Sequence, residues 1–240
     1  MAGRAFALHG ARDATRRDRA RDTLSTCGLE GDLWPEVEAS VLSSTVLSAT
    51  VGAGLFAPLY PFTLTTPEIA RFLSHRQIWA EIVRQGLDYG LIFDEDAALD
   101  PQIFARARDL ARDHIDDLGY IAFQPQALRG PARVIDTNGG CVLCLPVVNA
   151  PRSPVQMVGQ DAAAHLLHLT EIFDRPVEFL IQSHWHTHLR AGAVYPSGVS
   201  RIMQGSGHTS LAAAWPRYLY RRAVRHAARD SAAPLTGGLL

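Results

Sequence analysis

The chain has 240 residues, 47% of them hydrophobic, with a formal net charge of -1 and acids and bases interspersed. That length supports one sizeable core, and the near-neutral, mixed charge excludes nucleic acid as an expected partner. All 23 basic residues are arginine, and the 3 cysteines, Cys27, Cys141 and Cys144, are too few and too odd for a disulfide scaffold.

Phe6–Leu8 predicts a first strand, and the Arg- and Asp-rich stretch Thr15–Leu24 a helix after it. Trp34–Val41 reads as a second strand. From Ala39 to Pro67 there is no charge, yet Ser, Thr, Gly and Pro interrupt the stretch throughout, so a strand and a packed loop are expected there instead of a membrane span. Thr66 before Pro67 predicts a helix N-cap, and the apolar spacing from Ile69 to Val83 predicts one helix ending by Gly86. Gly90–Phe93 is a short apolar strand that runs into Asp94-Glu95-Asp96.

A helix over Pro101–Leu118 and a strand over Tyr120–Phe123 follow. Val134–Ile135 and Cys141–Val148 read as strands flanking the turn Asn138-Gly-Gly140. The two cysteines of that second strand read as buried thiols, not a redox pair. Gln160–Phe173 has helical spacing and is stopped by Arg175-Pro176. Alternating helices and short strands predict an α/β sheet with helices on both faces. The expected domain covers 1–204. Residues 205–240 form a Gly/Ser turn, an Arg-rich helix from Leu211 to Arg229 and a frayed tail.

Chemistry is concentrated at the acidic triplet. The C-terminal edge of a strand in an α/β sheet is where ligands bind. If strand geometry persists, Asp94 and Asp96 share a face, where two oxygen ligands suit a divalent cation, and Glu95 points away; the alternative is a solvated acidic cap. His184, His186 and His188 alternate and on a strand would share a face, which makes a zinc hydrolase a rival reading.

The block from Leu64 to His75, Leu-Thr-Thr-Pro-Glu-Ile-Ala-Arg-Phe-Leu-Ser-His, continues through Ile78-Trp79, Ile82-Val83 and Gly90–Leu99 and resembles the hallmark segment of glycosyltransferase family 25, which includes lipooligosaccharide and collagen galactosyltransferases. Ala11–Arg17, Gly140–Cys144 and Leu166–Glu178 carry weaker similarity. The triplet Asp-Glu-Asp departs from the family's Glu-Asp-Asp, and Glu178 stands where the family has Asp.

The resemblance implies a single GT-A-type nucleotide-sugar-binding domain with a Rossmann-like mixed sheet flanked by helices. It also implies inverting transfer of a sugar, with UDP-galactose as donor, onto a glycan or lipid-linked glycan such as lipopolysaccharide or exopolysaccharide. Mn²⁺ or Mg²⁺ would be held by Asp94 and Asp96 with His186. Arg17, Glu68, Ser74, His75 and Glu95 would line the donor pocket, and Glu178 would be the base. An idle nucleotide-sugar-binding module is the other reading. The N-terminus has no long apolar stretch after Arg4, so a cytoplasmic location is expected. The C-terminal helix either meets the inner membrane face through its arginines or packs by one face like any surface helix.

Overall fold

The computed structural model describes residues 1–10, 13–148, 153–189, 191–202 and 211–236, the last segment with side chains for 218–231. The expected turn at Gly205, and the side chains of Trp215 and Arg217, lie outside the described residues.

β1 (Gly3–His9) leads through α1 (Ala14–Thr26) to β2 (Gly31–Pro35), which pairs with β1 in parallel. Asp13 caps α1 by accepting from the Arg16 amide. Instead of a strand running to Val41, a 3₁₀ turn spans Ala39–Val41, and the uncharged stretch holds α2 (Ser44–Thr50), whose amide at Val46 is capped by Ser43. No described helix is long and apolar enough to cross a membrane.

α3 (Thr66–Gln85) starts one residue away from expectation. Its cap is Thr65, which forms a reciprocal capping box with Glu68, and Thr66 is already helical. Gly86 ends it at φ 64°, a left-handed conformation that glycine adopts without a Cβ penalty. β3 (Tyr89–Phe93) then pairs with β1 in parallel. Gly90 lets α3 lie close on this strand, since a Cβ there would stand 2.4 Å from Ile82 Cδ1.

β4 (Ala97–Leu99) is followed by α4 (Pro101–Arg112) and α5 (Ile115–Leu118), where one helix was expected. The break comes where the Asp113 and His114 amides turn back to Ala111 and its neighbours. β5 (Tyr120–Phe123), the hairpin β6 (Ala132–Asn138) and β7 (Cys141–Pro146), and β8 (Val155–Gly159) come next. The hairpin turns at Gly139 and Gly140, at φ 55° and 86°. α6 (Gln160–Leu169), α7 (Val177–Gln182), α8 (His184–Thr187), β9 (Ala191–Tyr195), β10 (Val199–Arg201) and α9 (Leu211–Thr236) complete the chain.

Eight strands form one mixed sheet in the order β2-β1-β3-β8-β5-β9-β7-β6, and β10 pairs with β4 apart from it. Side chains alternate across the central strands. Ala5, Ala7, Leu91 and Phe93 face a cluster shared with α4 and α5, while Phe6, Leu8 and Ile92 face one shared with α3, α6 and α7. This is the expected mixed α/β sheet covered on both faces. Phe72 of α3 stacks on Phe173 at 3.8 Å, both fully buried. Each such aromatic contributes about 1.5–3 kcal/mol by leaving water. All three cysteines are buried and free, as the apolar run around Cys141 and Cys144 predicts for those two.

α9 docks by one face. Tyr220, Val224 and Ala228 are buried, and the buried Arg175 donates to the Tyr220 hydroxyl at 3.2 Å. Burial pushes that phenol up to about 12.

Candidate functional site

Parallel pairing of β1, β2 and β3 brings their C-terminal ends to one edge. Beyond this edge lie Gly10, the loop from Glu36 to Ser40 and the acidic triplet, and the first turns of α1 and α3 open onto the same space. A cleft of about 840 Å³ results, lined by Asp13, Arg16, Glu36, Glu38, Arg71 and Glu95 among others.

Strand geometry does not persist through the triplet. The Asp94 amide donates to the Pro154 carbonyl at 2.8 Å, and the Ala97 amide turns back to the Asp94 carbonyl at 3.0 Å. The carboxylates therefore diverge, each to an arginine on a different element. Arg71 of α3 gives Nη2 to Asp94 Oδ2 at 2.5 Å. Arg16 of α1 gives Nη1 to both Glu95 oxygens at 2.7 and 2.6 Å. Arg201 of β10 gives Nη1 to Asp96 Oδ2 at 3.0 Å.

Arg71 is the hub. Its Nε lies 3.3 Å from Glu178 Oε1, so one guanidinium stands between two carboxylates. Burial disfavours its charge, but Asp94 and Glu178 outweigh burial and raise its pKa. Asp94 is sealed from solvent; its Oδ1 has no hydrogen-bond partner and lies 3.9 Å from the fully buried His75 Nε2. Glu36 is pushed upward by burial first and then by Glu95 and Asp94, with Arg71 and Arg16 opposing. A small cavity of about 20 Å³ adjoins Arg71 and Glu178 and reaches Tyr120, whose hydroxyl donates to Gln156 Oε1 at 2.8 Å.

Of the residues singled out in the sequence, Glu95 lines the cleft, Glu178 lines the small cavity, and Asp94 touches Arg71, which lines both. Glu68 is engaged in the α3 capping box, beside Pro67 on the cleft wall. Ser74 is buried; it accepts from the Val37 amide at 2.9 Å and so pins the loop that forms the opposite wall. Arg17 points to the exposed side of α1, and its neighbour Arg16 enters the cleft in its place. His186 packs on Phe56, its Nε2 lies 2.7 Å from the Ala57 carbonyl, and among the described residues it forms no metal-suited group with Asp94 and Asp96.

The alternation proposed for His184, His186 and His188 gives way to a different geometry. His184 and His186 sit on the short helix α8, and His188 takes a left-handed conformation at its end. His184 Nε2 meets the Ser231 hydroxyl of α9 at 2.9 Å while His186 faces Ala57, so the three do not converge.

Sequence reading did not single out Arg16, Arg71 or Glu36. Arg71 carried a signal: it is the one charge in the apolar run Ile69–Ser74, and a charge in such a run requires a buried partner.

As they stand, the three carboxylates do not fit one shared divalent cation. They point to three arginines, and among the described residues no group of three or more His, Cys, Asp or Glu side chains is placed to hold a metal ion.

Residues 12–127 match the family model for glycosyltransferase family 25 (LPS biosynthesis protein). The probable inactive glycosyltransferase 25 family member 3 of Bos taurus is 31% identical over 109 residues, covering 44% of this chain and 18% of that protein. Procollagen galactosyltransferase 2 of Homo sapiens is 27% identical over 139 residues, covering 54% and 22%. The matched stretches are thus about a fifth of those relatives' length. Mannose-1-phosphate geranyltransferase from Thermus thermophilus superposes with a TM-score of 0.37 at 12% identity over 81% of this chain and 74% of that one, too loosely to carry an argument. Over residues 12–127, just under half of its length, the chain resembles glycosyltransferase family 25.

Proposed function

We propose that the chain binds a nucleotide sugar in the cleft at the C-terminal edge of β1, β2 and β3, and that it does so as a module without transferase turnover. The carrying observation is the pairing of every acid in the triplet with its own arginine. Arg16 and Arg71 bring two guanidiniums to the cleft wall, where a diphosphate would compete for them with Glu95 and Asp94. Glu36 and Glu38 at the end of β2 offer acceptors to ribose hydroxyls. The same acids, committed to arginine, are the ones that would otherwise hold a cation. The Bos taurus relative described as probably inactive supports this reading.

A second reading is galactosyl transfer from UDP-galactose to a surface glycan, assisted by Mn²⁺ or Mg²⁺. The observation favouring it is Glu178, a carboxylate that lines the small cavity 3.3 Å from Arg71, the residue common to cavity and cleft, and that could serve as base for an acceptor hydroxyl. Procollagen galactosyltransferase 2 supports it in turn. On this reading a cation must compete with Arg71 and Arg201 for Asp94 and Asp96.

Thermal unfolding with UDP and UDP-galactose, each with and without Mn²⁺, together with an assay for UDP release, separates the two. Binding to the native state raises the midpoint by mass action. A metal-independent rise without UDP release bears out the module. A rise that needs Mn²⁺, with UDP release lost in Glu178→Gln, establishes the transferase. No rise with either nucleotide contradicts both.

A further inference from the structure

A second cavity, of about 560 Å³, lies between α9 and the chain from Gln124 to Pro131. Five arginines line it, Arg129, Arg221, Arg225, Arg229 and Arg201, the last also bonded to Asp96, and no carboxylate is among its described lining residues. Arg221, Arg225 and Arg229 recur every fourth residue and so form one stripe about 12 Å long on α9. Gln124, Gln126 and Gln182 also line it, and the Nε2 of Gln124, in a side chain only 4% exposed, has no hydrogen-bond partner. An unpaired buried amide is destabilising and is a donor awaiting an acceptor.

We propose that this cavity is a binding site for a saccharide carrying two or more anionic groups, phosphate or carboxylate. The arginine stripe supplies counter-charges spaced for a chain of anions, and the three amides suit sugar hydroxyls. Among the described residues the lining holds no aromatic side chain of the kind on which single-stranded nucleic acid stacks. Nor does it suit a lipid surface. The apolar face of α9, Tyr220, Val224 and Ala228, is buried against the domain, so it is not free to enter a bilayer.

The cavity shares Gln124 and Pro146 with the small space beside Glu178 and Arg71. A bound saccharide thereby has its end directed at the cleft. That directional role rests on the nucleotide-sugar reading above; the anion site itself does not.

The test is calorimetric titration of the full chain with a short oligogalacturonate, a phosphorylated maltooligosaccharide, the neutral maltooligosaccharide, inorganic phosphate, and phosphatidylglycerol vesicles. One or both acidic saccharides should bind at least tenfold tighter than the neutral one and than inorganic phosphate, more weakly as salt rises. The triple variant Arg221→Gln, Arg225→Gln, Arg229→Gln should lose at least tenfold with its circular dichroism unchanged. If that variant does not fold, Arg225→Gln alone, an exposed helix position, should lose threefold or more. Equal affinity for neutral and acidic saccharides, affinity unchanged in these variants, or tighter binding to the vesicles overturns the proposal. Arginine-dependent uptake of acidic saccharide by a chain that fails to bind UDP would support this site while removing the cleft reading.

Discussion

Arg71 and Asp94 form an ion pair at the point where α3 crosses the end of β3, Nη2 to Oδ2 at 2.5 Å, with the Asp94 side chain fully out of solvent. A carboxylate buried this way depends on its partner for nearly all its counter-charge.

Arg71→Met should therefore destabilise the chain by about 3–5 kcal/mol, because it strands Asp94 and leaves Glu178 without its neighbour. Adding Asp94→Leu to that variant should recover most of the loss, since replacing a buried pair with apolar groups is often near neutral. Urea unfolding of the two variants checks both figures.

Glu36 yields a prediction about pH. Burial raises its pKa in the folded chain above the usual value of 4.5, so the folded state binds that proton more tightly than the unfolded one. The sign follows: its contribution is most favourable below the unfolded value and is lost as pH rises through the folded one. At pH 7 the ionised carboxylate is a penalty. Glu36→Gln should raise the melting temperature at pH 7, and the gain should shrink as pH falls toward 4. A lower midpoint at pH 7 would contradict this placement.

The anchor of α9 can be tested at Arg175. Its guanidinium is fully buried and holds Asp174 at 2.7 Å, the Phe56 carbonyl at 2.6 Å and the Tyr220 hydroxyl at 3.2 Å. Arg175→Met should cost about 3–5 kcal/mol by leaving Asp174 unpaired, and Tyr220→Phe only about 0.5–1.5 kcal/mol for one hydrogen bond. Limited proteolysis should cut α9 in the arginine variant well before it does so in the tyrosine one.

Much of this arrangement was legible from local chemistry. Gly86 as a stop, Pro67 in the first turn of α3 and the apolar run into Asp94 place α3 and β3, and through them the ligand edge. Asn138-Gly-Gly140 placed the β6–β7 turn. What escaped was long-range. β8 inserts between β3 and β5, although Gln156 interrupts its apolar run; Tyr120, far off in sequence, satisfies that amide.

Alternation would put the histidines on one face only if they lay on a strand, whereas contacts with Phe56, Ala57 and Ser231 hold them on and beside a short helix. The fan of the triplet is set by partners 23, 79 and 105 residues away, which no spacing within the triplet encodes. The tail that read as a separate segment meets the domain through Tyr220 and Arg175, a contact between residues 45 apart.

On the proposed reading, the cleft beside Arg16 and Arg71 takes a nucleoside diphosphate. Calorimetric titration of UDP into the chain and into Arg16→Gln, an arginine at the cleft surface whose loss does not strand a fully buried acid, tests it most directly. UDP should bind at one site in the unsubstituted chain and at least tenfold more weakly in the variant, at an unchanged melting temperature. Equal UDP affinity in both chains, or none in either, would contradict it.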